Sequence, residues 1–158
     1  MMEHTHKEIM DADRTDRVTK KTIQELINAA VAARRNSYSP YSHYQVGAAL
    51  LSGDGQVVTG CNIENAAYGP TNCAERTAFF KAVSEGVRDF RAIAIVGSPA
   101  GDALTQYAYP CGVCRQVMRE FCEPSSFQII VARSQDDYQI MTLRELLPES
   151  FGPDNLQS

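Results

Sequence analysis

Two short stretches hold the residue types from which a metal centre is built. Cys73-Ala74-Glu75-Arg76 is one, and Pro110-Cys111-Gly112-Val113-Cys114-Arg115 is the other. Cys111 and Cys114 are three positions apart, a spacing at which both thiols of a helix start face one point. Helix N-termini carry partial positive charge, which favours thiolate over thiol and so prepares a metal ligand. Cys73 also falls at an expected helix start, so two helix ends aimed at one point would supply three sulfurs. Three is the informative number: a structural zinc site is closed by four ligands, whereas a catalytic one keeps a position open for water. Thiolates without a redox demand suit zinc better than iron or copper. Of the three histidines, His4 and His6 lie in a polar leader and His43 in a loop with no partner pattern. None of them is expected among the ligands.

Glu75 is placed to move a proton at such a centre. Zinc lowers the pKa of a bound water towards ~7, and a neighbouring carboxylate can accept its proton. Residues two apart on a regular helix diverge by about 200°. Glu75 and Cys73 therefore share a metal only if it sits off the helix end. A lone Cys-x-x-Cys is also a thiol redox motif. The proline before it and the Cys-Ala-Glu upstream shift the reading to a catalytic metal. Cys61 and Cys122 stand in no such setting and read as small buried apolar residues. Five cysteines are an odd number, which argues against a disulfide framework.

The elements that must position these residues follow from hydrophobic spacing. Ile23, Leu26, Ile27, Ala30 and Val31 recur at helical intervals between Val18 and Arg35. Ser39-Pro40 opens a loop. Tyr44 to Leu51 and Gln56 to Asn62 read as strands joined by the turn Ser52-Gly53-Asp54-Gly55. A helix is expected from about Cys73 to Glu85, stopped by Gly86. Arg91 to Val96 suits a buried strand. Pro110 reads as a first helical residue, with Gly112 to Phe121 continuing that helix. Phe127 to Ala132 and Tyr138 to Met141 are two further strands, and Thr142 with Glu145 forms a capping box for a short last helix. The order α-β-β-α-β-α-β-β-α predicts a three-layer α/β/α fold around a five-stranded mixed sheet.

The chain has 158 residues and a formal charge of −4, without a basic run. That is a poor match to polynucleotides or anionic membranes. No stretch approaches the ~20 apolar residues of a membrane span. Residues 1–17 alternate charge and polarity and are expected to be a disordered leader or tail, with one catalytic domain over 18–158 and a cytoplasmic location.

At these motifs the sequence resembles the cytidine deaminases of the short-chain, homotetrameric type, from about Thr22 to Leu156. Val46-Gly47-Ala48-Ala49-Leu50 and Asn62-Ile63-Glu64-Asn65-Ala66 resemble the family's nucleoside-binding half. Cys73-Ala74-Glu75-Arg76-Thr77-Ala78 and Pro110-Cys111-Gly112-Val113-Cys114-Arg115-Gln116 resemble its zinc half, and the tail from Glu145 to Pro153 matches as well. The resemblance implies hydrolysis of cytidine and deoxycytidine to uridine and deoxyuridine with release of ammonia. It implies one zinc per chain on Cys73, Cys111 and Cys114, with Glu75 as the proton shuttle. Asn62 and Glu64 correspond to the ribose-binding pair, and residues two apart on an extended segment do face the same way. Tyr44 lies beside the pyrimidine where many relatives carry Phe. Ala74 contacts the substrate, and Phe151 reaches into a neighbouring subunit's site. Arg76 balances charge: Zn²⁺ with three thiolates is already −1, and a guanidinium on the sulfurs restores some of the metal's acidity. Pro70 and the polar leader depart from the family pattern.

Four rival readings differ in substrate or class. A deaminase of another aminated nucleoside, such as blasticidin S, would keep zinc and Glu75 but differ in the sugar pocket. A nucleic-acid-editing deaminase would need a basic stripe. A zinc-stapled binding protein would not need Glu75. A thiol oxidoreductase on Cys111 and Cys114 would be metal-free.

Overall fold

The computed structural model describes residues 17–157, so the expected leader lies outside the described residues apart from Arg17. The first helix, α1 (Lys20–Arg34), begins where the Thr19 hydroxyl accepts the Thr22 amide at 3.2 Å. Strands β1 (Tyr44–Ser52) and β2 (Val57–Cys61) form the expected hairpin, whose turn places Gly55 at φ +91°. Helix α2 (Ala74–Ser84) ends at Gly86, also at φ +91°, a conformation that costs glycine little. Strand β3 (Phe90–Pro99), helix α3 (Gly112–Phe121) and strands β4 (Gln128–Ser134) and β5 (Asp137–Thr142) follow. The short α4 (Leu143–Leu146) starts with the predicted Thr142–Glu145 capping box, and a 3₁₀ turn covers Pro153–Asn155.

Two expectations need correction. Pro110 is not a helical residue: Cys111 is the N-cap of α3, and its sulfur receives the Cys114 amide at 3.5 Å. Cys73 is likewise the N-cap of α2 and not its first residue, with extended backbone at φ −73°, ψ 158°. Both sulfurs therefore stand outside the helices, at their positive ends.

The strand order is β2-β1-β3-β4-β5, with β3 and β4 parallel and the other neighbours antiparallel. Side chains alternate between two cores with the period of two that a strand imposes. Ala48, Leu50, Ile93, Ile95, Ile129 and Val131 face α2, α3 and α4, with Phe79, Met118 and Phe127 at the centre. Ala49, Leu51, Ala92, Ala94, Val96 and Ile130 face α1 through Ile23, Leu26, Ile27 and Ala30. The mixed α/β/α architecture is as the hydrophobic pattern predicts.

One close approach fixes where α2 starts. A methyl group built on Gly60 of β2 would lie 2.6 Å from the Ala78 nitrogen and closer still to the Ala74 carbonyl. The backbone of α2 thus rests directly on β2, and the glycine is what lets the Cys73 end come down onto the sheet. Gly60→Ala is expected to push this end outward, costing about 1–3 kcal/mol, as forced overpacking does. A fall in melting temperature of roughly 2–12 °C, at about 2–4 °C per kcal/mol for a chain of this size, checks this in a thermal scan.

Candidate metal centre and active site

The three cysteines singled out from the sequence come together. Their sulfurs lie within 4.8 Å of one another, with 3.8 Å between Cys73 and Cys111 and 3.4 Å between Cys111 and Cys114. Ligands of a tetrahedral zinc at ~2.3 Å stand about 3.8 Å apart, so the spacing fits that ion. Among the described residues this is the one cluster of metal-ligating side chains, and His43 is not in it. The charges of the sulfurs point the same way. The Cys73 thiol is held down to about 5, chiefly by the hydrogen bond from Cys114 and then by Arg76, whose Nη2 donates to the sulfur at 3.3 Å. Cys114 is pushed far up, chiefly because it supplies that hydrogen bond, and then by burial. One sulfur is ionised at the expense of its neighbour, an arrangement that a dication replacing the shared proton would relieve.

Glu75 lies just inside α2 and is 4% exposed. Burial pushes its carboxyl up to about 7, with the Cys73 charge adding to the rise. An acid–base group works best near the operating pH. The divergence expected between Glu75 and Cys73 does not arise, because Cys73 is a cap and not a residue on the helix flank. Both line one cleft of about 420 Å³, together with Cys111, Ala74, Tyr44, Asn62 and Glu64. That volume suits a small ligand.

Asn62 and Glu64 flank Ile63, which bridges to both Tyr38 and Asn72. Most of the Asn62 amide is already spent within the fold. Its Oδ1 accepts from the Val46 amide at 2.9 Å and from the Ser37 hydroxyl, and Nδ2 donates to the Tyr44 carbonyl at 2.8 Å. One Nδ2 hydrogen remains for a ligand. Glu64 Oε1 accepts from the Tyr41 and Ser42 amides, both at 3.1 Å. Hydrogen bonds from Ser42 hold this carboxyl below its ordinary range.

Phe151 does not line its own chain's cleft; it is 60% exposed. Helix α3 holds the tail that presents it. Gln116 Nε2 donates to the Phe151 carbonyl at 3.0 Å, Arg119 Nε donates to the Ser150 hydroxyl at 3.0 Å, and Arg119 also pairs with Asp154. Arg76 sits behind the sulfurs, its Nε buried without a partner among the described residues. Cys122 is buried as expected, whereas Cys61, at the end of β2, is only half-buried.

Sequence reasoning missed one wall of the cleft. Tyr107, Ala108 and Tyr109 line it, as do Thr71 and Asn72. The alternation in Tyr107-Ala108-Tyr109 immediately before Pro110-Cys111 is the signal that could have marked it. The metal assignment has a direct check. Alanine at Cys73, Cys111 or Cys114 is expected to abolish stoichiometric zinc in the purified protein, read by elemental analysis, while Cys61→Ala and Cys122→Ala retain it.

Comparisons with known proteins agree with this geometry. Residues 20–129 match the model of the cytidine and deoxycytidylate deaminase zinc-binding region. The chain is 51% identical to a cytidine deaminase of Halalkalibacterium halodurans, over 84% of this chain and 96% of that protein. It is 48% identical to one of Sporosarcina psychrophila, over 85% and 94%. The crystal structure of a cytidine deaminase from Burkholderia pseudomallei superposes with a TM-score of 0.73 at 46% identity, covering 80% of this chain and 97% of that one. With its three-cysteine centre, buried Glu75 and five-stranded mixed sheet, the chain belongs to the zinc-dependent cytidine deaminase family.

Proposed function

We propose that this protein hydrolyses cytidine and deoxycytidine to uridine and deoxyuridine, releasing ammonia. The observation that carries the proposal is the buried Glu75 carboxyl beside three convergent sulfurs in a nucleoside-sized cleft. Zinc on Cys73, Cys111 and Cys114 supplies the Lewis acidity that makes water a nucleophile at neutral pH. Glu75 accepts the proton that the water sheds and delivers it to N3 of the pyrimidine as the C4–O bond forms. It then takes the proton of the new C4 hydroxyl and passes it to the amino group, so that C4=O forms, the C4–N bond breaks and ammonia leaves. Burial keeps Glu75 poised between its two protonation states through these transfers. Arg76, donating to the Cys73 sulfur, offsets the negative charge that three thiolates concentrate there.

The cleft favours a free nucleoside over a nucleotide. Among the described residues, its lining contributes Glu64 and Glu75 but no Lys, Arg or His. Among the described residues that line the cleft, a 5′-phosphate would meet carboxylate and no cation. Glu64, anchored through one oxygen, offers the other to ribose hydroxyls, and the remaining Asn62 N–H offers a donor. Tyr44 lies against the ring and the Ala74 backbone against its edge. Among the described residues no helix is long and apolar enough to cross a membrane, and we infer a cytoplasmic enzyme.

The assembly proposed is a homotetramer in which Phe151 completes a neighbour's site. Its exposure and its pinned carbonyl support this, since a large aromatic held outward is poorly placed in a monomer.

Two experiments test the reading. Glu75→Gln is expected to keep zinc and the native fold while losing at least ~10²–10⁴ in turnover of cytidine, followed by ultraviolet absorbance. More than half of normal activity would exclude the shuttle. For assembly, inactive Glu75→Gln chains are dissociated and reassembled with impaired Phe151→Ala chains. Hybrids that combine an intact Glu75 with a donated Phe151 are expected to exceed both parents. No gain in confirmed mixed oligomers would rule out donation between subunits.

A further inference from the structure

The segment that walls the cleft is held from outside it. Twelve residues, 100–111, connect β3 to α3 without regular structure. Among the described residues, 103–110 make no backbone-to-backbone hydrogen bond. Side chains fix the segment instead. The Tyr107 hydroxyl donates to Asp137, and the Tyr109 hydroxyl donates to Gln139 Oε1 at 2.8 Å. Asp137 and Gln139 are two apart on β5 and so share one face of that edge strand. Arg133 of β4 completes the hold. It pairs with Asp137 at 2.7 Å, lies 4.6 Å above the Tyr107 ring, and donates to the Thr105 carbonyl at 3.5 Å. The Arg133–Asp137 pair is about 40% exposed on each side and adds little stability by itself. Its effect is geometric, because it fixes the carboxylate that Tyr107 needs. Inward of this anchor, Ala108 and Tyr44 close over Gly97, where an added methyl would meet Ala108 Cβ and Tyr44 Cε1, each at 3.0 Å. The two walls of the pyrimidine slot thus meet at one point, one carried by β1 and the other hung from β5.

We propose that Asp137, Gln139 and Arg133 are positioning residues for the substrate: by holding Tyr107 and Tyr109 they set the width of the slot without touching the ligand. The proposal rests on the deaminase reading above. The anchor acts on binding and leaves proton transfer alone, since Glu75 lies on α2 and the Cys111 sulfur is tied to α3 by the Cys114 amide rather than to β5. Loss of the Tyr107–Asp137 bond raises KM and spares kcat.

The test measures kcat, KM and the inhibition constant of the product uridine in zinc-loaded wild type, Asp137→Ala, Tyr107→Phe, their double variant and Asp137→Asn. Both single variants are expected to raise KM and the uridine constant in parallel, by about three- to tenfold, the size of one hydrogen bond. kcat should stay within about twofold. The double variant should be no worse than the worse single one, because both remove the same bond. Asp137→Asn keeps one oxygen for Tyr107 but gives up the one that Arg133 holds, so it should bind better than Asp137→Ala and no better than wild type. Tyr107→Phe retains the ring, so it decides the matter if Asp137→Ala fails to fold. Unchanged binding in Tyr107→Phe, additive effects in the double variant, or a loss confined to kcat would overturn the proposal. Wild-type enzyme that does not deaminate cytidine would instead overturn the functional reading on which it rests.

Discussion

Everything in this fold is arranged around the negative charge that accumulates where α2 and α3 point at each other. Three sulfurs and a carboxyl gather there, and Cys73 ionises at the expense of Cys114. Two helix N-termini and Arg76 supply partial compensation. Three sulfurs within 4.8 Å of one another have the spacing of a tetrahedral dication's ligands. The same convergence explains an irregular choice of caps. Helices usually begin with Ser, Thr, Asp or Asn, whose short oxygens satisfy the first amides. Both α2 and α3 begin with Cys, and Cys73 caps nothing with its side chain. The α2 start gives up a side-chain cap to aim its sulfur at the shared point, and the α3 start keeps only the long sulfur cap from Cys111.

The sheet supplies the rigidity on which this aim depends. The three central strands β1, β3 and β4 each bury one set of side chains under α1 and the other under the site helices, so none of them slips by one residue without inverting both cores. Gly60 lets α2 sit against β2, and parallel pairing of β3 with β4 carries α3 to the same sheet face. The substrate half of the cleft is built differently. Asn62 holds the Tyr44 carbonyl and the Val46 amide with one side chain, and the opposite wall hangs from β5. Ligand chemistry sits on helix ends, and slot width is set by loops tied down with side chains.

How much of this was legible in sequence varied with the range of the interaction. The metal ligands and Glu75 could be read because zinc chemistry restricts residue type and local spacing, and the family resemblance covered both motifs. The helices and strands were legible because their periodicity is local. Pro110 was misplaced by two positions because a proline before a cap and a proline at the first helical residue look alike until the cap's hydrogen bond is seen. The Tyr107–Tyr109 wall was missed for a different reason. Its partners Asp137 and Gln139 lie thirty residues away, and only the pairing of β4 with β5 brings them alongside. The strand order itself depends on such long-range pairings.

The separation of the ligands along the chain carries a consequence for the order of events during folding. Cys111 and Cys114 are neighbours in any helical turn, whereas Cys73 lies 38 positions before Cys111. Closing a loop of that length costs an unfolded chain about 3 kcal/mol of entropy, before any contact repays it. In the unfolded chain Cys111 and Cys114 are therefore local partners for an ion, and Cys73 joins them only when the loop between them closes. That loop contains α2, β3 and the Tyr107–Tyr109 wall, so an ion held by all three sulfurs ties the two ends of half the cleft together.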